Sequence, residues 1–249
     1  MTDPMISIAI ETSCRRGGVA LGRDDGLVAE SAFDASARHG VQLLTRLDEL
    51  LAGEDLRPAD LREVYVSVGP GSFTGTRIGV TVARTLAQAL PDVRCVAVPS
   101  PAAVAEGVRG LRWDHLAVVL DAREGLVYAA QFRRGGPDGL PVDQGDGAVL
   151  APAELLENAP RPLTLVGEGL AHHDLAAEGV TIPPPEAANA PPHLPTAAAV
   201  WRVGRRLATA GRFADPARLL PIYVRKPEAV RLWERRHGVD EPPPGGENP

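Results

Sequence analysis

The sequence predicts an α/β protein of two domains, and three observations carry that prediction. Short apolar runs of strand length alternate with longer stretches of helical apolar spacing, the same strand-and-helix order starts twice, and 249 residues suffice for two small cores. Ile6 to Ile10 is an apolar run ending in Glu11-Thr12-Ser13, and Gly18 to Gly22 and Leu27 to Phe33 flank Arg23-Asp24-Asp25-Gly26. The Asp-Gly pair is a hairpin signal, so three strands joined by tight turns are expected. Val41, Leu43, Leu44, Leu47, Leu50 and Leu51 then recur at helical spacing and predict an amphipathic helix. After Pro58, Leu61 to Val68 fits a buried strand and Gly69 to Gly75 a glycine-rich loop. Ile78, Val82, Leu86 and Leu90, four apart, give one face of a helix over Thr76 to Leu90. Val93 to Val98 is a further strand.

In the second half Leu116 to Leu120, Leu126 to Phe132 and Leu163 to Val166 are expected strands, and Pro152 to Glu157 and Thr196 to Ala210 expected helices. The connecting stretches Arg133 to Gly147 and Ile182 to Pro195 are rich in Gly and Pro and read as loops. The resulting division is an N-terminal domain over 1–105, a C-terminal domain over 106–230 and a polar Pro/Gly-rich tail over 231–249. Gly238 to Pro249, with four prolines and few apolar groups, is expected to be disordered.

A chain that is 44% hydrophobic and 23% charged has ordinary globular usage. It holds no run of about 18 apolar residues to span a bilayer. Met1 to Ile10 carries Asp3 and no Lys or Arg, so the expectation is a cytoplasmic protein with no membrane association. The two cysteines, Cys14 and Cys95, lie far apart and exclude a disulfide framework. A net charge of -6 argues against a dedicated nucleic-acid binder. The charge is uneven, however: Trp201 to His237 holds ten Arg or Lys against three acids. That stretch reads either as a surface for phosphate or an acidic partner, or as a solvated helix face.

The most informative segment is Gly69-Pro70-Gly71-Ser72-Phe73-Thr74-Gly75-Thr76-Arg77-Ile78-Gly79, between a strand and a helix. Its glycines permit close backbone approach, and free N–H groups at a helix start favour anions. It is not a P-loop, because the positions five on from Gly69 and Gly71 are Thr74 and Thr76 and the loop has no Lys. Nor does it match the dinucleotide fingerprint, whose third glycine slot is Thr74. Two readings stand side by side, an anion-binding loop and a tight turn that shapes a packing surface.

This string resembles the signature of the TsaB (YeaZ) family, and other stretches match in the same order. Ile8-Ala9-Ile10-Glu11-Thr12-Ser13 is similar to the family's opening strand and loop, and His39 with Leu43-Leu44 to its first helix start. Leu120 to Ala129 is similar to its second-domain hairpin, and Leu220-Pro221-Ile222-Tyr223-Val224-Arg225 to its C-terminal motif. The resemblance runs from about Ile6 to Val230. It implies two domains of the actin, heat-shock-chaperone and sugar-kinase type, related to ribonuclease H. It also implies a role as the non-catalytic subunit that pairs with and activates TsaD. That catalytic paralogue forms N6-threonylcarbamoyladenosine at position 37 of tRNAs reading A-starting codons. A TsaE-type ATPase is the third partner, tRNA is met through the complex, and ATP and Mg2+ are used by the complex with no cofactor intrinsic to this chain.

Carried over residue by residue, the pairing surface falls on Val41 to Leu51 and Thr76 to Leu90, with Leu43, Leu47, Leu50, Ile78, Val82 and Leu86 as its apolar contacts. Such faces also allow a homodimer in isolation. The catalytic relative's two metal-binding histidines fall at Ser100 and Val104, neither of which ligates as imidazole does. The six histidines include no pair four apart on a helix, so neither a metal site nor any catalytic residue is assigned. Glu11, Thr12, Ser13 and Asp121 occupy the places of a residual nucleotide and magnesium site, although Glu11 stands where the family has Asp. Asp121 with Arg123 reads equally as a structural ion pair or turn cap. Arg77 reads as facing an external acid or anion, or as a solvated first-turn arginine. Cys14 has no base beside it in sequence and reads as an inert buried thiol. Two other classes remain open, a stand-alone ATP-dependent kinase or carbamoyltransferase of the same fold and a glycoprotease-like peptidase.

Overall fold

The computed structural model describes residues 4–34, 39–135, 140–184 and 193–224, with 233, 236 and 237 besides. The expected disorder of Gly238 to Pro249 falls outside these residues, as do Arg225, Lys226, Arg231 and Arg235 of the arginine-rich stretch.

Two mixed sheets form the molecule. The first is built from β1 (Ile6–Glu11), β2 (Arg16–Arg23), β3 (Gly26–Asp34), β4 (Leu61–Gly69) and β5 (Arg94–Pro99), in the order β3-β2-β1-β4-β5. β1, β2 and β3 are antiparallel neighbours, while β4 and β5 run parallel to β1. The second is built from β6 (His115–Arg123), β7 (Leu126–Arg134), β8 (Pro141–Asp143), β10 (Leu163–Val166) and β11 (Val180–Thr181), with β9 (Ala148–Leu150) paired to β7. Its order, β8-β7-β6-β10-β11, repeats the first: two antiparallel neighbours on one side of the leading strand and two parallel ones on the other. This duplicated topology is the two-lobed, ribonuclease-H-related α/β architecture expected from the sequence.

Strand alternation decides what covers each face. Ile6, Ile8 and Ile10 of β1 point into a core closed by α1 (His39–Gly53) and α2 (Phe73–Ala89). Ala9 points the other way, into a core closed by α5 (Ala197–Thr209). α5 lies close to the sheet because small residues make room for it. A β-carbon at Gly204 would stand 2.4 Å from the Tyr65 ring, and one at Gly22 would stand 2.1 Å from Trp201 Nε1. That indole nitrogen donates to Ser7 Oγ at 2.9 Å, so the one polar atom the indole carries into the core is satisfied. The division at 105/106 therefore does not follow the packing: α5 comes late in sequence yet covers the first sheet, because the apolar back of that sheet needs a helix.

Between the lobes lies α3 (Ser100–Gly107), which the sequence pattern did not predict. It is short, proline-led and buried on several sides, so it shows no one-sided apolar stripe. Ala103 joins the first-sheet core, while Val104, Ala105 and Val108 join the core under β6 and β7. The outer face of the second sheet is closed by α4 (Pro152–Asn158) through Leu155. The stretch read as a loop from Arg133 to Gly147 contains the end of β7 and the short β8, both too brief to show a period.

α5 also decides the fate of two arginines in the cationic stretch. Arg205 pairs with Asp25 at 2.7 Å and lies 3.8 Å from the buried Glu63, which Arg94 also reaches at 2.5 Å. Arg206 pairs with the buried Glu106 at 2.7 Å. These two cations compensate internal carboxylates, since a buried acid requires a partner, and they present no phosphate-binding surface.

Candidate functional site

The glycine-rich segment is folded against the turn that follows β1. Ser72 caps α2, its Oγ accepting from Gly75 N–H at 3.2 Å, and its own N–H donates to the Ser13 carbonyl at 2.6 Å. α2 thus begins at Phe73, three residues earlier than the sequence spacing suggested, and Phe73, Thr74 and Gly75 are its first turn and not loop. A β-carbon at Gly71 would stand 2.2 Å from the Ser13 carbonyl oxygen, and one at Gly79 would stand 2.4 Å from Thr12 Oγ1. Gly69 is held in the left-handed region at φ +98°. The glycines are therefore there for packing between α2 and β1, the second of the two readings.

A C-terminal segment closes over this loop. Ile222 N–H donates to the Val68 carbonyl at 2.7 Å, and the Tyr223 ring packs at a 36° tilt against Phe73 with ring centroids 4.9 Å apart. Arg77 lies one turn beyond Phe73, in the second turn of α2 and not the first. Its guanidinium sits 3.8 Å over the Phe73 ring, and its Nε donates to the Tyr223 hydroxyl at 2.8 Å. Among the described residues the side chain is thus neither freely solvated nor committed to an ion pair. Tyr223 was absent from the expected site residues. Its place in the C-terminal motif was visible, but nothing in sequence says that a residue 146 positions away lies on Arg77.

Glu11 is fully buried. One carboxyl oxygen accepts from Ser13 N–H at 2.5 Å and from Ser13 Oγ at 2.6 Å, while the other has no hydrogen-bond partner among the described residues. Burial pushes its pKa up, against the lowering pull of the hydroxyls of Ser13 and Ser67. Ser67 in turn shares a 2.8 Å hydrogen bond with Ser100. Asp121 faces other groups: the Arg123 N–H at 3.0 Å, His173 Nε2 at 3.2 Å and the Arg123 guanidinium at 3.7 Å. Partial burial raises its pKa, but those hydrogen bonds and the His172 and Arg123 charges outweigh it, and the net shift is downward.

The two carboxyls face separate partners, while the second carboxyl oxygen of Glu11 and the hydroxyl of Thr12 are buried with no hydrogen-bond partner among the described residues. Among the described residues no three His, Cys, Asp or Glu side chains come together as a metal-holding group. Cys14 is buried and donates to the Arg16 carbonyl at 3.2 Å, and burial, with the Glu11 charge, pushes its thiol up, away from the thiolate a nucleophile needs. A narrow crevice between the lobes is lined by Ser13, Gly71 and Ser100 from one side and Leu120 and Glu168 from the other, with His193 at its edge. Glu168 and His193 had no signal in sequence. Burial also raises the Glu168 pKa.

Ser100 and Val104 lie one turn apart on α3, each 2% exposed. Ser100 supplies a hydroxyl to Ser67 and Val104 an apolar group to the core.

The expected pairing face needs a correction. Leu43 is 0% and Leu47 6% exposed, and both belong to the first-sheet core, while Leu50, Ile78, Val82 and Leu86 pack partly against it. The leucine stripe of α1 covers its own sheet, which is the first claim on any amphipathic helix. The large apolar side chains turned outward on α1 are Val41, 62% exposed, and Leu44, 54% exposed.

A family model described as TsaD, tRNA N6-adenosine threonylcarbamoyltransferase, matches residues 30–220. The chain is 34% identical over 233 residues to the tRNA threonylcarbamoyladenosine biosynthesis protein TsaB of Bacillus subtilis, covering 92% of this chain and 98% of that protein. It is 27% identical to the TsaB protein of Escherichia coli, covering 94% and 99%. Among solved structures, YeaZ from Pseudomonas aeruginosa superposes with a TM-score of 0.74 at 23% identity, over 88% of this chain and 99% of that one, which shows the same fold. The duplicated topology, the capped glycine segment and this near full-length similarity lead to one conclusion: the chain belongs to the TsaB (YeaZ) family of tRNA threonylcarbamoyladenosine biosynthesis proteins.

Proposed function

We propose that this chain is the non-catalytic subunit of the complex that forms N6-threonylcarbamoyladenosine at position 37 of tRNAs reading A-starting codons, and that it acts by pairing with and activating a TsaD-type catalytic paralogue. The observation that carries the reading is the state of the inherited catalytic positions. Ser100 and Val104 are buried in the fold, and Glu11 and Asp121 are held by separate neighbours, so the framework of an active relative is retained without its reactive groups. ATP and Mg2+ are used by the complex, in which a TsaE-type ATPase takes part, and tRNA is met through the partner subunit. The work takes place in the cytoplasm, in keeping with the lack, among the described residues, of any helix long and apolar enough to cross a membrane. In isolation the outward apolar groups of α1, Val41 and Leu44, favour a homodimer.

Sedimentation of the chain mixed with the TsaD-type paralogue of the same organism tests the pairing. One heavier species containing both proteins is expected, and two independently sedimenting proteins would contradict the reading.

A further inference from the structure

Among the described residues, α3 is the one helix whose side chains enter the cores of both lobes. Ala103 packs with the first sheet and α5, while Val104 and Ala105 pack under β6 and β7. Apolar contact has no direction, so packing alone would let a helix of eight residues roll between the two sheets. Direction comes from a charge. Glu106 of α3 is 1% exposed. Its Oε2 accepts from Arg206 Nη2 of α5 at 2.7 Å, while its Oε1 lies 3.2 Å from Arg109 Nη1 without hydrogen-bond geometry. Arg206 is therefore the one hydrogen-bond donor to this buried carboxyl among the described residues. α5 itself is fastened to the first lobe, by Trp201 on Ser7 and by Arg205 on Asp25. At the other end of α3, Ser100 is bonded to Ser67 of β4 and lines the crevice between the lobes.

We propose that Glu106 and Arg206 form a latch that fixes how the second lobe sits on the first, with α3 as the pivot. Breaking the latch lets the lobes rock and changes the width of the crevice between Ser13, Gly71 and Ser100 on one side and Leu120 and Glu168 on the other. A carboxylate removed from water needs its cation. A guanidinium donates well over a narrow range of directions, so one setting of α3 against α5 satisfies the pair and a roll of the helix leaves the buried charge unpaired. Glu106 is on this account a positioning residue, with no part in any chemistry. The latch is a property of this chain alone and stands whether or not the chain pairs with a catalytic paralogue.

The test measures the distance between the lobes by pulsed electron paramagnetic resonance on the full chain. Spin labels are placed at Asp48→Cys on α1 and Glu157→Cys on α4, both exposed positions, while Cys14 and Cys95 are buried and stay unlabelled. Arg206→Met strands the Glu106 carboxyl and is expected to melt lower than the parent. Glu106→Leu leaves no buried charge, because Arg206 can turn its head to water, and so keeps the fold with the latch removed. Leu43→Ala lowers stability inside the first-lobe core, away from the latch. The expected result is a narrow distance distribution in the parent and in Leu43→Ala, and one at least about twofold wider in Arg206→Met and Glu106→Leu. A distribution as narrow in Glu106→Leu as in the parent would overturn the latch. Equal broadening in Leu43→Ala would overturn it too, since width would then follow stability alone, as would a parent distribution already as wide as that of the variants.

Discussion

Gly75, in the first turn of α2, lies against the backbone of Thr12 just past the end of β1, so close that a β-carbon at position 75 would stand 1.9 Å from the Thr12 carbonyl oxygen. Backbone cannot swing aside as a side chain can. Gly75→Ala is therefore expected to lower stability by about 1–3 kcal/mol, as overpacking of a tight contact does. Gly40, in α1, has open space where its β-carbon would lie, so Gly40→Ala should be neutral or stabilising by up to about 1 kcal/mol. Urea unfolding of the two variants checks this, and similar losses for both would contradict the packing role of Gly75.

Glu11 predicts a pH effect of definite sign. Burial raises its pKa above the ordinary 4.5, so the folded state favours the protonated form. Its contribution to stability is complete below the ordinary value and is lost as pH rises through the folded one. Glu11→Gln keeps an oxygen for the two Ser13 donors and removes the charge. Unfolding at pH 5 and pH 8 should show the variant gaining on the parent as pH rises, because only the parent has a carboxyl to ionise in the buried site. A gap that stays constant or narrows with pH would show that Glu11 is charged in the folded protein at both values.

Leu43 and Leu44 are sequence neighbours with opposite surroundings, one in the core and one in water. Leu43→Ala is expected to cost about 2–5 kcal/mol, whereas Leu44→Ala should stay within about 0.5 kcal/mol. Leu44→Asp should weaken pairing with the paralogue without lowering the melting temperature. If Leu43→Ala proved harmless, the α1 stripe would not be core.

The long elements were legible in the sequence because each carries a period. The Ile6–Ile8–Ile10 alternation, the Asp25-Gly26 turn and the four-residue steps of α2 placed the first sheet and its helices. The duplicated strand order was visible as a repeat, but β8, β9 and β11, of two or three residues, are too short to show one. α3 was missed because a helix buried on several sides has no stripe. The glycine segment was found with the packing turn as one of its two readings, but its contacts were not, since close approach to Thr12 and Ser13 is a contact between segments far apart in the chain. The places of Leu43 and Leu47, among the expected pairing residues, were hidden for a related reason. An apolar stripe states that a helix face is covered but not by what, and Leu43 and Leu47 turned out to be covered by the chain's own sheet.

The central claim, that this chain does no chemistry itself but is required for it, is tested most directly by reconstitution. Unmodified tRNA reading an A-starting codon is incubated with threonine, bicarbonate, ATP, Mg2+ and the other pathway proteins, with and without this chain, and threonylcarbamoyladenosine is scored by mass spectrometry. Modification only when the chain is present is the predicted result. Equal modification in its absence would contradict the account.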